Sequence, residues 1–88
     1  MTRPAVTLYM SDWCPYCRRA RDLLTKKSIA FTAIDVEEQE KFRDEMTARS
    51  NRRTVPQIFI GDRHVGGCDD LFALESSGEL DRLIQGVG

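Results

Sequence analysis

The chain has 88 residues, which leaves room for one small domain, 1–88, with a thin core. Its 41% hydrophobic and 31% charged residues are ordinary for a folded globular chain and exclude a disordered one. Thirteen Lys and Arg against fourteen Asp and Glu, a formal charge of -1, give no general cationic field, so no nucleic acid and no membrane is expected as a partner.

Ala5 to Met10 reads as a short buried strand carrying Val6, Thr7 and Tyr9. The same stretch is too short and too interrupted for a signal peptide. No run approaches the roughly 20 apolar residues of a membrane helix. A reducing cytoplasm is the expected location. Ser11-Asp12-Trp13 is a turn, and Pro15 suits the first turn of a helix, where its missing N–H costs nothing. Ala20, Leu23 and Leu24 make one face of that helix apolar, with an end near Ser28. Ile29 to Val36 contains a second strand with Phe31, Ile34 and Val36 as its apolar members.

Glu37-Glu38-Gln39-Glu40 opens a second helix, its acids at the positive end of the dipole. Phe42 and Met46 share one face of it, Ser50-Asn51-Arg52-Arg53 ends it, and its charges read as a solvated face. Gln57–Ile60 is a third strand, Gly61-Asp62 a tight turn, and Arg63-His64-Val65 a short fourth strand. Gly66-Gly67 leads into a helix that Asp69 can cap, with Leu71, Phe72 and Leu74 in it and Gly78 to stop it. Leu80, Leu83 and Ile84 mark a final turn or two. The order is β-α-β-α-β-β-α, an α/β class with a central mixed four-stranded sheet flanked by helices.

Three cysteines are an odd, low number, unlike the even set of a secreted disulfide framework. Cys14 closes the turn after the first strand, and Cys17 lies in the first helical turn. Positions three apart share a helix face, so the sulfurs can reach one another. The orphan N–H groups and the dipole's positive end favour a thiolate at such a helix start. Cys14 is the outer residue and the expected nucleophile; Cys17 is one turn deeper and the expected resolving thiol. A Cys-x-x-Cys pair is also half of a zinc site, for which only Cys68 and His64 remain as further ligands. Redox chemistry is the expectation, with no metal. Arg18, Arg19 and Arg21 put positive charge beside the motif, and His64 reads as a strand-end surface residue without a catalytic role.

Cys14-Pro15-Tyr16-Cys17 after a strand, then Thr54-Val55-Pro56-Gln57-Ile58-Phe59-Ile60, then Gly66-Gly67-Cys68-Asp69-Asp70-Leu71 resembles a dithiol glutaredoxin of the small bacterial type over nearly the whole chain. The resemblance implies a thioredoxin-like (glutaredoxin) fold. It implies glutathione-dependent reduction of protein disulfides and of glutathione mixed disulfides; with no exposed apolar patch evident, a monomer is the expected state. Glutathione is then the reducing co-substrate, itself reduced by an NADPH-dependent reductase, and no cofactor is bound. It implies a cis Val55–Pro56 bond facing the dithiol, with the Val55 backbone pairing with the extended ligand and Thr54 beside it. Gly67, Cys68, Asp69 and Asp70 would hold the γ-glutamyl end, and Tyr16 would pack on the ligand from the solvent side. Trp13 is either an exposed lid or a core anchor. Many members of the family carry a lysine three residues before the nucleophile. Here Ser11 stands there, and Arg52 or Arg53 is the expected substitute cation. Cys68 reads as a semi-buried small residue near the ligand turn, or as an oxidation-prone thiol.

Two other functions keep the same fold. One is an iron–sulfur carrier, with a cluster held by Cys14 and glutathione from two chains; Pro15 and Cys17 argue against it. The other is a dithiol redoxin served by a different reductant, for which Trp13 is a weak pointer.

Overall fold

A computed structural model of the chain describes residues 3–86. Four strands form one sheet: β1 (Val6–Met10), β2 (Thr32–Asp35), β3 (Gln57–Ile60) and β4 (Arg63–Gly66), in the spatial order β2-β1-β3-β4. β1 runs parallel to β2, with Tyr9 opposite Ile34, and antiparallel to β3, with Leu8 opposite Ile58. β3 and β4 form the expected hairpin, with a register irregularity between Ile58 and Phe59. A parallel pair requires a crossover, and α1 (Pro15–Lys26) supplies it. α2 (Glu40–Ser50) connects β2 to β3, and α3 (Cys68–Ser77) and α4 (Glu79–Ile84) follow the hairpin.

The pleat of the sheet sorts side chains onto two faces. Val6, Leu8 and Met10 of β1 and Ile58 and Ile60 of β3 pack with Cys17, Ala20 and Leu24 of α1, Leu71 of α3, and Leu80 and Ile84 of α4. On the other face Tyr9, Val36 and Phe59 pack against Met46 of α2. Three helices therefore cover one face and one helix the other. The charges of α2 are not only a solvated surface. The Tyr9 hydroxyl donates to the Glu45 carboxylate and accepts from the Arg49 guanidinium at 3.0 Å, and Arg49 also lies 4.1 Å from the Phe59 ring centroid. Burial, then the Glu45 hydrogen bond, pushes the Tyr9 phenol above its ordinary range.

α2 starts later than its acidic run predicts. The Asp35 carboxylate accepts the Glu37 N–H at 2.9 Å, which favours a turn there over helix, and Gln39 is the extended N-cap. At the far end, Gly78 closes α3 in the left-handed region (φ 82) and starts α4 at once, so the final turns form a separate helix. Lys27, just past α1, ties both: its Nζ is 2.8 Å from Glu75 and 2.9 Å from Asp81.

Leu8 is fully buried, and Leu8→Ala is expected to lower stability by about 2–5 kcal/mol in urea unfolding. A Cβ at Gly78 meets nothing within 4 Å. Gly78→Ala is therefore expected to cost about 1–2 kcal/mol in the same measurement, through backbone conformation alone.

Candidate active site: a dithiol capping a helix

Pro15 is the first residue of α1, and the residue before a proline is steered away from helical angles. Cys14 is accordingly the N-cap, extended at φ -85 and ψ 116. The first N–H groups of the helix need a partner from outside it. The Cys14 sulfur is one: Sγ accepts the Cys17 N–H at 3.3 Å. The Cys14 N–H donates to the Ser11 carbonyl at 3.2 Å. From the other side the Val55 carbonyl stands 3.9 Å from Cys14 Sγ, and the Val55–Pro56 bond is cis, as expected.

Cys14 is not the exposed residue its sequence position suggests. It is 5% exposed and Cys17 is 2%, because the start of α1 and the Val55 main chain close over the sulfur from two sides. Burial pushes the Cys17 thiol up to about 12. Cys14 and Cys68 add to the rise, and the Ser11 main chain opposes it. Cys17 therefore keeps its proton at neutral pH. Cys68 is buried too; desolvation raises its thiol, with Asp69 and Cys14 adding and Arg19 opposing.

A groove of about 280 Å³ lies beside the dithiol. Its lining brings together all eight residues expected to bind the ligand: Tyr16, Thr54, Val55, Pro56, Gly67, Cys68, Asp69 and Asp70. Arg52, one of the two expected substitute cations, lines it as well, and so does Gln57, which the sequence does not mark for binding. Of Arg52 and Arg53 only Arg52 reaches the groove, where its guanidinium is 3.7 Å from Asp70. The Arg53 carbonyl instead accepts from Arg43 at 2.8 Å. Asp70, not Asp69, closes the start of α3, accepting the Gly67 N–H at 3.0 Å. Gly66 makes that possible: it sits at φ +120, and a Cβ there would lie 2.2 Å from Asp70 Oδ2. Another hollow, about 390 Å³, is lined by Arg3, Ser28, Phe31 and Ile84 among others. It lies at the opposite end of β1 and contains no thiol.

Trp13 is the exposed alternative, 69% exposed, its indole N–H donating to the Glu37 carboxylate. Arg18, Arg19 and Arg21 do not line the groove; Arg19 lies over the Phe72 ring at 5.5 Å. His64 is half-buried rather than a surface residue, 2.6 Å from Gln57. Among the described residues no three His, Cys, Asp or Glu side chains gather as metal ligands. The Ser11 hydroxyl is buried and finds no hydrogen-bond partner among the described residues.

Raised thiols at Cys17 and Cys68 make both poor nucleophiles below their titration. At pH 8 the thiolate fraction of Cys17 is about one part in ten thousand. Iodoacetamide at that pH is expected to label the reduced chain at Cys14 and leave the other two unmodified, as read by peptide mass spectrometry.

The Glutaredoxin family model matches residues 6–65. A glutaredoxin from Pseudomonas aeruginosa is 48% identical over 81 residues, 92% of this chain and 96% of that one. The solution structure of a glutaredoxin from Brucella melitensis superposes with a TM-score of 0.83 at 50% identity, covering 96% of this chain and 91% of the other. The crystal structure of a buckwheat glutaredoxin–glutathione complex shares the fold, with a TM-score of 0.86 at 24% identity over 97% of this chain and 80% of that one. With the family model spanning more than half of its residues and near-half identity over nine-tenths of its length, the chain belongs to the glutaredoxin family.

Proposed function

We propose that Cys14 is the nucleophile and Cys17 the resolving thiol of a glutathione-dependent thiol–disulfide oxidoreductase. The observation that carries this reading is the setting of one sulfur. Cys14 Sγ lies between a helix-start N–H and the Val55 carbonyl, beside a groove of about 280 Å³. The Cys17 thiol next to it holds its proton until it is called on.

With a glutathione mixed disulfide, the Cys14 thiolate attacks the glutathione sulfur and expels the protein thiolate, which takes up a proton. A second glutathione thiolate then attacks the glutathione sulfur of that intermediate. It leaves as glutathione disulfide and returns Cys14 as thiolate. With a protein disulfide, Cys14 first forms a mixed disulfide with the protein. Cys17 then loses its proton and attacks the Cys14 sulfur, releasing the reduced protein and leaving a Cys14–Cys17 disulfide that two glutathiones reduce. The first route never uses Cys17; the second requires it.

The groove supplies the binding contacts. Val55 offers its backbone to the extended cysteinyl part of glutathione, with Pro56 and Thr54 on either side. Cys68, the first residue of α3, offers its N–H group to the γ-glutamyl carboxylate, Gly67 lets the ligand approach the main chain closely, and Asp69 and Asp70 take its ammonium. Tyr16, 55% exposed, covers the ligand from solvent. Arg52 takes the glycine carboxylate in the role that Ser11 cannot fill. The chemistry needs one chain, disulfide-containing protein substrates and a reducing compartment such as the cytoplasm. No helix among the described residues is long and apolar enough to cross a membrane.

A mixed-disulfide reductase assay with glutathione tests the assignment. Cys14→Ser is expected to lower the rate at least about a hundredfold, and Cys17→Ser to stay within about tenfold of the parent. Full activity in Cys14→Ser would overturn it. Arg52 is exposed, so its loss is modest: Arg52→Ala is expected to raise KM for glutathione about threefold to tenfold, while Arg53→Ala leaves it unchanged.

A further inference from the structure

Gln57 is a buried polar residue, 1% exposed, that the mechanism above leaves unused. Burying an amide is costly unless its donors and its acceptor are met. Here they are. Gln57 Nε2 donates to the Thr54 carbonyl at 3.1 Å and to Thr54 Oγ1 at 3.3 Å, and Gln57 Oε1 stands 2.6 Å from His64 Nε2. A carbonyl only accepts, so the Thr54 carbonyl decides which end of the amide carries nitrogen. Oε1 is then the acceptor, and His64 Nε2 carries the proton. Neutral imidazole in that tautomer and imidazolium both have it, so the contact survives protonation. The ring is held in turn by stacking on Phe59, with centroids 4.9 Å apart.

The path His64–Gln57–Thr54 runs from the edge strand β4 through β3 into the groove wall, one residue from the carbonyl that faces Cys14. The Thr54 hydroxyl accepts from Gln57, so its own proton is left for an acceptor outside the network. We propose that Gln57 and His64 are positioning residues for the glutathionyl ligand: they lock the Thr54 main chain and turn its hydroxyl into a donor for a ligand carbonyl or carboxylate oxygen. This rests on the glutathione-dependent reading given above and adds to it how the proline turn is held and which kind of ligand atom it selects.

The brace also gives ligand binding a pH dependence. The charged groups around His64 are Arg52, Asp70 and, on the Phe59 ring, Arg49. Burial first and then Arg52 hold the imidazole below its ordinary range, against Asp70. It is therefore neutral at pH 7 and takes up a proton only as the medium becomes acidic. An imidazolium donates more strongly than an imidazole, and the polarised Gln57 amide passes that on to Thr54. Binding of the ligand accordingly strengthens as pH falls through this range.

Calorimetric titration of the full chain with S-methylglutathione, whose blocked sulfur prevents reaction, tests the proposal beside the mixed-disulfide assay. Gln57→Leu is expected to raise both Kd and KM about tenfold and leave kcat within about twofold. His64→Phe keeps the ring stack and loses the donor. It is expected to raise Kd about threefold and to flatten the pH dependence on the acid side of neutrality. His64→Gln restores a donor and is expected to recover most of the affinity. A folded Gln57→Leu variant with the parent's Kd overturns the proposal. So does a His64→Phe variant whose pH profile matches the parent's, which decides the matter even if Gln57→Leu does not fold. A parent chain that fails to bind S-methylglutathione overturns the glutathione reading itself, an outcome distinct from both.

Discussion

One hydrogen bond organises the site: the Cys17 N–H to the sulfur of Cys14. It makes a reactive atom serve as the cap of a helix, so the atom's position is set by the helix rather than by a loop. That helix is anchored in turn, because Ala20 and Leu24 are fully buried against β1 and β3. The chain from core packing to chemistry is therefore short. Leu24 and Ala20 hold α1, α1 holds the Cys17 N–H, and the N–H holds the sulfur. The Val55 carbonyl on the far side of that sulfur comes from a different part of the chain, carried by β3.

The division of labour between the thiols follows from the same arrangement. Cys14 caps the start of the helix, where the Cys17 N–H reaches its sulfur. Cys17 sits one turn inward, where burial dominates and holds the proton on. Both are nearly inaccessible, so exposure alone does not assign their roles; the N–H that reaches the Cys14 sulfur and the raised Cys17 thiol do. The groove shows a similar economy. A helix start, a proline turn and the entry to α3 each contribute a few residues, and Arg52 and Asp70 place opposite charges at its rim.

Much of this was legible in the sequence. The β-branched, aromatic and aliphatic residues of β1 and β3 marked the strands, Pro15 marked the start of α1, and the three spaced motifs named eight of the residues that line the groove. What the sequence hid depended on distances between side chains on neighbouring elements. His64 looked like a surface residue because a strand-end polar residue usually is one; its partner, Gln57, lies on the adjacent strand next to a register irregularity that no local pattern announces. Asp69 and Asp70 are equally good caps by composition, and only the backbone angles at Gly66 and Gly67 select Asp70. Arg52 and Arg53 are indistinguishable as neighbours in the chain; the strand that follows aims one at the groove. The inward-reaching Glu45 and Arg49 were invisible for the same reason, since a helical charge pattern does not say which charge meets a buried tyrosine on the sheet.

Gly66 carries a consequence for how such a site can diversify. Its left-handed backbone and its closeness to Asp70 bar any side chain on two independent grounds, conformation and space. Arg52 and Thr54 stand exposed on the rim, outside α3, and can be exchanged one at a time, each altering what the groove prefers. Position 66 offers no such gradual route. A replacement there would have to move the helix start and the ligand wall together, so variation in ligand preference within this architecture is channelled to the rim and away from the hinge between β4 and α3.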